Sequence, residues 1–219
     1  MGLPQSVLAP AGPAARDIVT VTTILTVGAI VVLVVVMALL AYGARRDGAS
    51  VSETRWVVSG GIVFPVTVLT ALFFYSARMS GALHAAAPPE ALRIDVAGWQ
   101  WWWEVRYPGT PSAVSANEIH LPIGAAVELR LTSPDVIHAF WVPSLAGKLD
   151  MVPGRAHRLI VRADSAGVFR GQCAEYCGTQ HAQMALVLVA EPAEAFAAWL
   201  AAQAAPASAS SAPEAARGF

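Results

Sequence analysis

The chain has 219 residues, of which 56% are hydrophobic and only 13% charged, and its net charge is −1. Soluble domains carry about 25% charged residues, so this composition places part of the chain in lipid, and the near-zero charge gives no basis for binding nucleic acid. Two cysteines are too few for a disulfide framework.

Residues 1–17 are rich in Pro and Ala and read as a flexible N-terminal tail. They lack an apolar core of their own and are not a complete signal peptide. Residues 18–42 form an almost unbroken apolar run, and about 20 such residues suffice to cross a bilayer, so this is the first predicted transmembrane helix. Residues 43–55 form a polar loop carrying Arg45, Arg46 and Arg55. The second predicted span is 56–79, interrupted by Gly60, Gly61 and Pro65; membrane helices tolerate these where neighbouring groups re-satisfy the backbone. The arginines place the loop in the cytoplasm and everything after about residue 80 on the outer face.

From Arg93 the pattern changes to short β-branched and aromatic runs separated by turn residues. The predicted strands are Arg93–Tyr107, Glu118–Leu121, Ala126–Thr132, Val136–Trp141, His157–Arg162, Gly167–Arg170 and Met184–Ala190. This density of strands over residues 90–191 predicts an all-β Greek-key sandwich or barrel. Residues 192–203 read as a short terminal helix with Phe196, Trp199 and Leu200 on one side. Residues 204–219 are Ala/Ser/Pro low complexity and read as a disordered tail.

The two cysteines fall in Gln172-Cys173-Ala174-Glu175-Tyr176-Cys177-Gly178-Thr179-Gln180-His181-Ala182-Gln183-Met184, spaced C-x3-C-x3-H-x2-M, with His138 upstream in Asp135-Val136-Ile137-His138. Thiolates, imidazoles and a thioether favour copper over hard cations. One Cys, two His and a Met describe a single-copper site; the additional Cys lets two thiolates bridge two ions. A disulfide between Cys173 and Cys177 leaves His181 and Met184 as coincidences. Zinc on Cys173, Cys177, His181 and His138 leaves Met184 unexplained.

Three blocks in order behind two spans resemble subunit II of haem–copper cytochrome c oxidase: Gly98-Trp99-Gln100-Trp101-Trp102-Trp103, Asp135 to Leu145 running on through Gly147-Lys148-Leu149-Asp150 to Pro153-Gly154-Arg155, and the Cys173–Met184 loop. The resemblance covers nearly the whole chain and implies a two-helix transmembrane hairpin followed by a cupredoxin-like domain. It implies a binuclear copper centre, CuA, held by His138, Cys173, the carbonyl of Glu175, Cys177, His181 and Met184. It also implies electron entry from a c-type cytochrome at Trp101, and relay to haems held only by subunit I of an aa3-like, proton-pumping oxidase, with subunit III a further partner. Through its side chain, Glu175 is implied to share a Mg2+ or Mn2+ ion with subunit I, and oxygen donors suit such ions. Asp135 matches an acidic docking position, and Glu53 matches a glutamate feeding a proton-uptake path. Asp150 and Arg155 lie in a block that packs on subunit I. His84, His120 and His157 match no ligand position.

The sequence departs from the family in two places: Trp99 stands where His is usual and Trp102 where Tyr is usual. The acidic docking signal is also weak, since residues 91–190 hold eight acidic and eight basic side chains. The chain lacks a second Cys pair and C-x-x-C-H, so no cytochrome c domain is expected at its C-terminus, and its ligand motif separates it from quinol oxidase subunits of the same fold. Two rival readings are a membrane-anchored copper-delivery module, which has no need of the Trp and Lys148–Arg155 blocks, and the copper domain of a nitrous oxide reductase, which lacks the two spans. The location expected is the bacterial inner membrane, with the copper domain on the periplasmic face.

Overall fold

The computed structural model describes residues 5–45, 52–83, 88–109 and 112–204. Arg46, His84 and most of the expected C-terminal tail lie outside the described residues. The chain divides into two compact units, Ala14–Ala86 and a unit combining Met1–Pro13 with Ala87–Phe219.

In the first unit, α1 spans Pro13–Ala44, 32 residues. At 1.5 Å per residue that is about 48 Å, well beyond the ~30 Å hydrocarbon core. The second span is built from α2 (Glu53–Val58), a π-helical turn (Ser59–Val63) and α3 (Phe64–Leu83). The irregular turn falls where the sequence demands it. Pro65 has no N–H to give, and the wide turn just before it is closed by Phe64 N–H donating to Ser59 O. Ser59 Oγ also donates to Arg55 O at 2.5 Å. Both helices are long and apolar enough to cross a membrane.

The second unit holds two five-stranded sheets. One has the order β3-β2-β1-β5-β8, with β1 Leu92–Trp99, β2 Trp102–Tyr107, β3 Ala113–Ala116, β5 Val127–Thr132 and β8 Ala156–Val161. The other has the order β4-β10-β9-β6-β7, with β4 Glu118–Pro122, β6 His138–Trp141, β7 Leu149–Met151, β9 Gly167–Cys173 and β10 Ala185–Glu191. Parallel pairing of β1 with β5, and of β4 with β10, joins strands distant in sequence. Ile94, Val96, Trp103, Val105, Leu129 and Leu131 of the first sheet are buried, as are Ile119, Leu121, Phe140 and Leu188 of the second.

The single strand expected over Arg93–Tyr107 is two, folded back at Gln100–Trp101 so that Trp99 faces Trp102. No glycine, proline or asparagine marks this turn. It is held by tertiary bonds: Gln100 N–H donates to Asp135 Oδ2 (2.7 Å) and Gln100 Nε2 to the Cys177 carbonyl (2.7 Å). β3 and β7 are strands the sequence pattern did not reveal.

The expected N-terminal tail also differs, because residues 5–12 belong to the β unit and α1 begins at Pro13. Ala11 N–H donates to Ser144 O (2.7 Å), and Asp164 N–H donates to Ala11 O (2.9 Å). Gln5 Nε2 donates to Gln172 Oε1 at 2.5 Å. A Cβ on Gly12 would collide with the Arg162 carbonyl, so only glycine allows this close approach.

The terminal helix α4, Ala193–Ala204, lies against the edge strands β3 and β4. Trp199 stacks on His120 (3.9 Å between ring centres, 8°), whose ring nitrogens face Glu191 Oε1 (2.7 Å) and Glu118 Oε1 (2.9 Å). Tyr107 Oη accepts from His120 N–H and donates to its carbonyl, and burial pushes the Tyr107 hydroxyl pKa up. His120 is thus a buried structural residue. Trp199→Ala is expected to cost roughly half of the ~3–5 kcal/mol of a fully buried tryptophan, read as a lower unfolding midpoint and faster amide exchange across 193–204.

Candidate metal centre

Three loops meet at one end of the sandwich: the β1–β2 turn, the segment 133–137 before β6, and the Cys173–Met184 loop between β9 and β10. Cys173 closes β9 and His138 opens β6, and Phe140 of β6 is registered against Cys173, so the two elements are fixed by the ladder. The loop is held by Cys173 N–H donating to Met184 O (2.9 Å) and by a 3-10 turn at His181–Gln183.

The two sulfurs stand 3.8 Å apart and are not bonded to each other. The other donors divide between them. His138 Nδ1 (3.8 Å) and the Glu175 carbonyl (3.2 Å) flank Cys173 Sγ; His181 Nδ1 (3.6 Å) and Met184 Sδ (3.7 Å) flank Cys177 Sγ. His138 Nδ1 and both sulfurs lie within 4.8 Å of one another. Two donors on one ion, at about 2.3 Å for sulfur and 2.0–2.1 Å for nitrogen and near-tetrahedral angles, stand roughly 3.6–3.8 Å apart. The observed spacings therefore fit soft metal ions seated among these residues. His138, Cys173, Cys177 and Met184 are all at most 3% exposed.

Burial raises the Cys173 thiol, but the His138 ring and the main-chain groups of Ala139 and Glu175 outweigh it and bring the pKa down to about 6. Burial and the Cys173 charge push Cys177 up to about 12. Two thiolates this close repel, so ionisation of one thiol opposes that of the other.

Around these donors sit residues to which the sequence reading gave another role or none. Asp135, expected as a docking acid, is 26% exposed at its side chain and turns inward. Its Oδ1 accepts from Val136 N–H (2.6 Å) and Ser133 Oγ (3.4 Å) and meets His138 Nε2 (2.9 Å), while Oδ2 accepts from Gln100 N–H. Burial raises its carboxyl, and the His138 ring with the two main-chain donors lowers it further than that. Burial lowers His138, and its contacts with Cys173 and Asp135 raise it. Gly178 (φ +127°) has no room for a side chain: a Cβ would meet Gln100 Nε2 at 3.0 Å and the Trp101 indole at 3.1 Å. Trp101, half-buried, thus packs on the residue next to Cys177. Trp103 is fully buried beside His138 (6.2 Å) and Phe140 (5.7 Å). The glycines and Gln100 stood in the quoted aromatic and metal blocks, but their contacts are long-range and left no local signal.

The Glu175 side chain points away from the sulfurs to Lys148 Nζ (3.3 Å), which also bonds Asp150 Oδ1 (2.8 Å). These exposed pairs add little stability. His157 Nδ1 lies 2.5 Å from the Asp150 carbonyl. Glu53 is the first residue of α2, in the helical unit, and is exposed.

Residues 109–191 match the family profile described as cytochrome C oxidase subunit II, periplasmic domain. The cytochrome c oxidase subunit 2 of Branchiostoma floridae is 33% identical over 169 residues, covering 68% of this chain and 71% of that one. The chain belongs to the cytochrome c oxidase subunit II family. The subunit 2 of Alkalihalophilus pseudofirmus is 40% identical over 107 residues, but the match spans only 31% of its length. The crystal structure of the periplasmic domain of subunit II of cytochrome oxidase of Bradyrhizobium japonicum superposes with a TM-score of 0.51 at 30% identity, covering 54% of this chain and 96% of that domain. The architecture is that of the family: two apolar helices, then a cupredoxin-like β domain. Membership also makes this a membrane protein with an exterior domain.

Proposed function

We propose that this chain is the electron-entry subunit of an aa3-like cytochrome c oxidase, in which spans 18–42 and 56–79 anchor a CuA domain of residues 90–191. One observation carries the reading: two unlinked buried sulfurs 3.8 Å apart, each flanked by its own imidazole. Copper ions held here would supply a site over which one electron is delocalised. His138, Cys173, the Glu175 carbonyl, Cys177, His181 and Met184 hold them. The chain excludes water from the site, fixing His138 and Cys173 on two paired strands and the other donors on the hydrogen-bonded loop that follows Cys173, so little rearrangement accompanies gain or loss of the electron.

A reduced c-type cytochrome docks over Trp101, whose packing on Gly178 supports an entry route one residue from Cys177. Electrons pass on to the haems of subunit I, where O2 is reduced to water and protons are pumped; subunit III completes the assembly. The domain faces the periplasm of a bacterial inner membrane. The Glu175 carboxylate, directed away from the sulfurs, would contribute to holding a Mg2+ or Mn2+ ion at the subunit I boundary. Glu53 feeds proton uptake, and an unchanged uptake rate in Glu53→Gln removes that role.

The test is copper per chain with the electron paramagnetic resonance pattern of the purified full-length protein. Two coppers with hyperfine coupling spread over both nuclei support the reading; one copper with coupling to a single nucleus, or bound zinc, overturns it.

For Asp135 the bonding supports a positioning role over a docking one. Asp135→Asn is expected to weaken copper binding by about 10–100-fold, the usual cost of losing a hydrogen bond behind a metal-bound imidazole. The salt dependence of donor turnover is expected to stay unchanged. A docking acid predicts the reverse: unaltered copper affinity and a flatter salt dependence.

A further inference from the structure

We infer that Gly98 is a positioning residue for the metal centre, a wall without a side chain against which the His138 imidazole is seated. The inference rests on the reading of His138 as a copper ligand.

Gly98 is buried near the end of β1, the central strand of the first sheet, registered opposite Trp103. Its φ lies outside the left-handed region, so the backbone there does not require glycine. Space does. A Cβ at this position would stand 3.1 Å from His138 Cδ2, 3.2 Å from Cγ and 3.4 Å from Cβ, inside the ~3.5–4.0 Å of favourable carbon contacts. The imidazole has nowhere to retreat. It is fully buried, Asp135 holds its Nε2 at 2.9 Å, Trp103 packs beside it, and its Nδ1 already faces Cys173. Interiors this dense transmit small displacements instead of absorbing them. A methyl group on residue 98 therefore moves the donor atom, and it does so from the aromatic block, outside the ligand loop.

Gly167 offers a matched control. A Cβ there meets the Phe169 ring at 3.0 Å, a similar overlap with an aromatic ring. It lies at the opposite end of β9, six residues and about 20 Å from Cys173 at ~3.3 Å per residue.

The experiment uses the full-length protein loaded with copper, comparing Gly98→Ala, Gly167→Ala and His138→Ala by paramagnetic resonance and visible spectra, with thermal unfolding of the copper-free forms. Gly98→Ala is expected to alter the hyperfine pattern and weaken copper retention about 10–100-fold, while Gly167→Ala lowers the unfolding midpoint with an unchanged spectrum. An unchanged spectrum in Gly98→Ala, beside an altered one in His138→Ala, overturns this inference alone. An unchanged spectrum in His138→Ala overturns the ligand reading and this inference with it. Should Gly98→Ala fail to accumulate, the double variant Gly98→Ala/His138→Ala decides. Removing the ring removes the collision, so the double variant is expected to accumulate as well as His138→Ala. Failure to accumulate even then means the imidazole is not what excludes a side chain at 98, and overturns the inference.

Discussion

Cys173→Ser is expected to reduce copper binding to at most one ion per chain and to slow electron entry by well over ~100-fold, beyond the 10–100-fold cost of losing a residue behind a ligand. Cys173 Sγ touches three other donors of the site: Cys177 Sγ at 3.8 Å, His138 Nδ1 at 3.8 Å and the Glu175 carbonyl at 3.2 Å. A serine hydroxyl is a harder donor, a poor match for copper. The fold should survive, because the β9 ladder and the Cys173 main-chain bond to Met184 are unaffected. Copper analysis together with the unfolding midpoint checks both halves. A variant that still binds two coppers with a delocalised signal would sink the shared-thiolate arrangement.

Trp103→Ala is the second large effect, and it acts on stability. Trp103 is fully buried on β2, edge-on to Phe140 (5.7 Å, 88°) and beside His138. Truncating such a tryptophan costs about 3–5 kcal/mol, a large share of the ~5–15 kcal/mol that holds a typical domain folded. The denaturant midpoint of the copper-free full-length chain should drop accordingly. Trp101→Ala should behave in the opposite way. That indole is half-buried, so its removal is expected to slow electron entry while moving the midpoint far less. Equal midpoints for the two variants would show that the aromatic block has been divided wrongly between core and entry roles.

The division between what was readable and what was not follows contact range. The first span was readable because an apolar run longer than the bilayer needs has few other uses, and the ligand loop because four donors lie within thirteen consecutive residues. The fold-back at Gln100–Trp101 was hidden: its hydrogen bonds reach 35 residues to Asp135 and 77 to Cys177, and no turn residue advertises it. Asp135 was legible as an acid near the site but not as one facing inward, since its partners Gln100 and His138 are brought together only by the sheets. Gly98 carried no signal by itself, because its importance is the absence of atoms opposite a ring forty residues away in sequence. The same holds for residues 5–12, whose composition suggests a loose tail and whose partners lie beyond residue 140.

Those N-terminal bonds have a topological consequence. Ala11 and Ser144, and Ala11 and Asp164, share main-chain hydrogen bonds, and such bonds cannot form through a bilayer. The stretch of chain between residues 12 and 144 must therefore cross the membrane an even number of times. Two spans satisfy this parity without any appeal to how the arginines are distributed. The requirement also bears on biogenesis: the segment ahead of the first span has to be on the same side as the β domain before that domain can close around it. Reporters fused at residue 5 and after residue 204 should mark the same compartment.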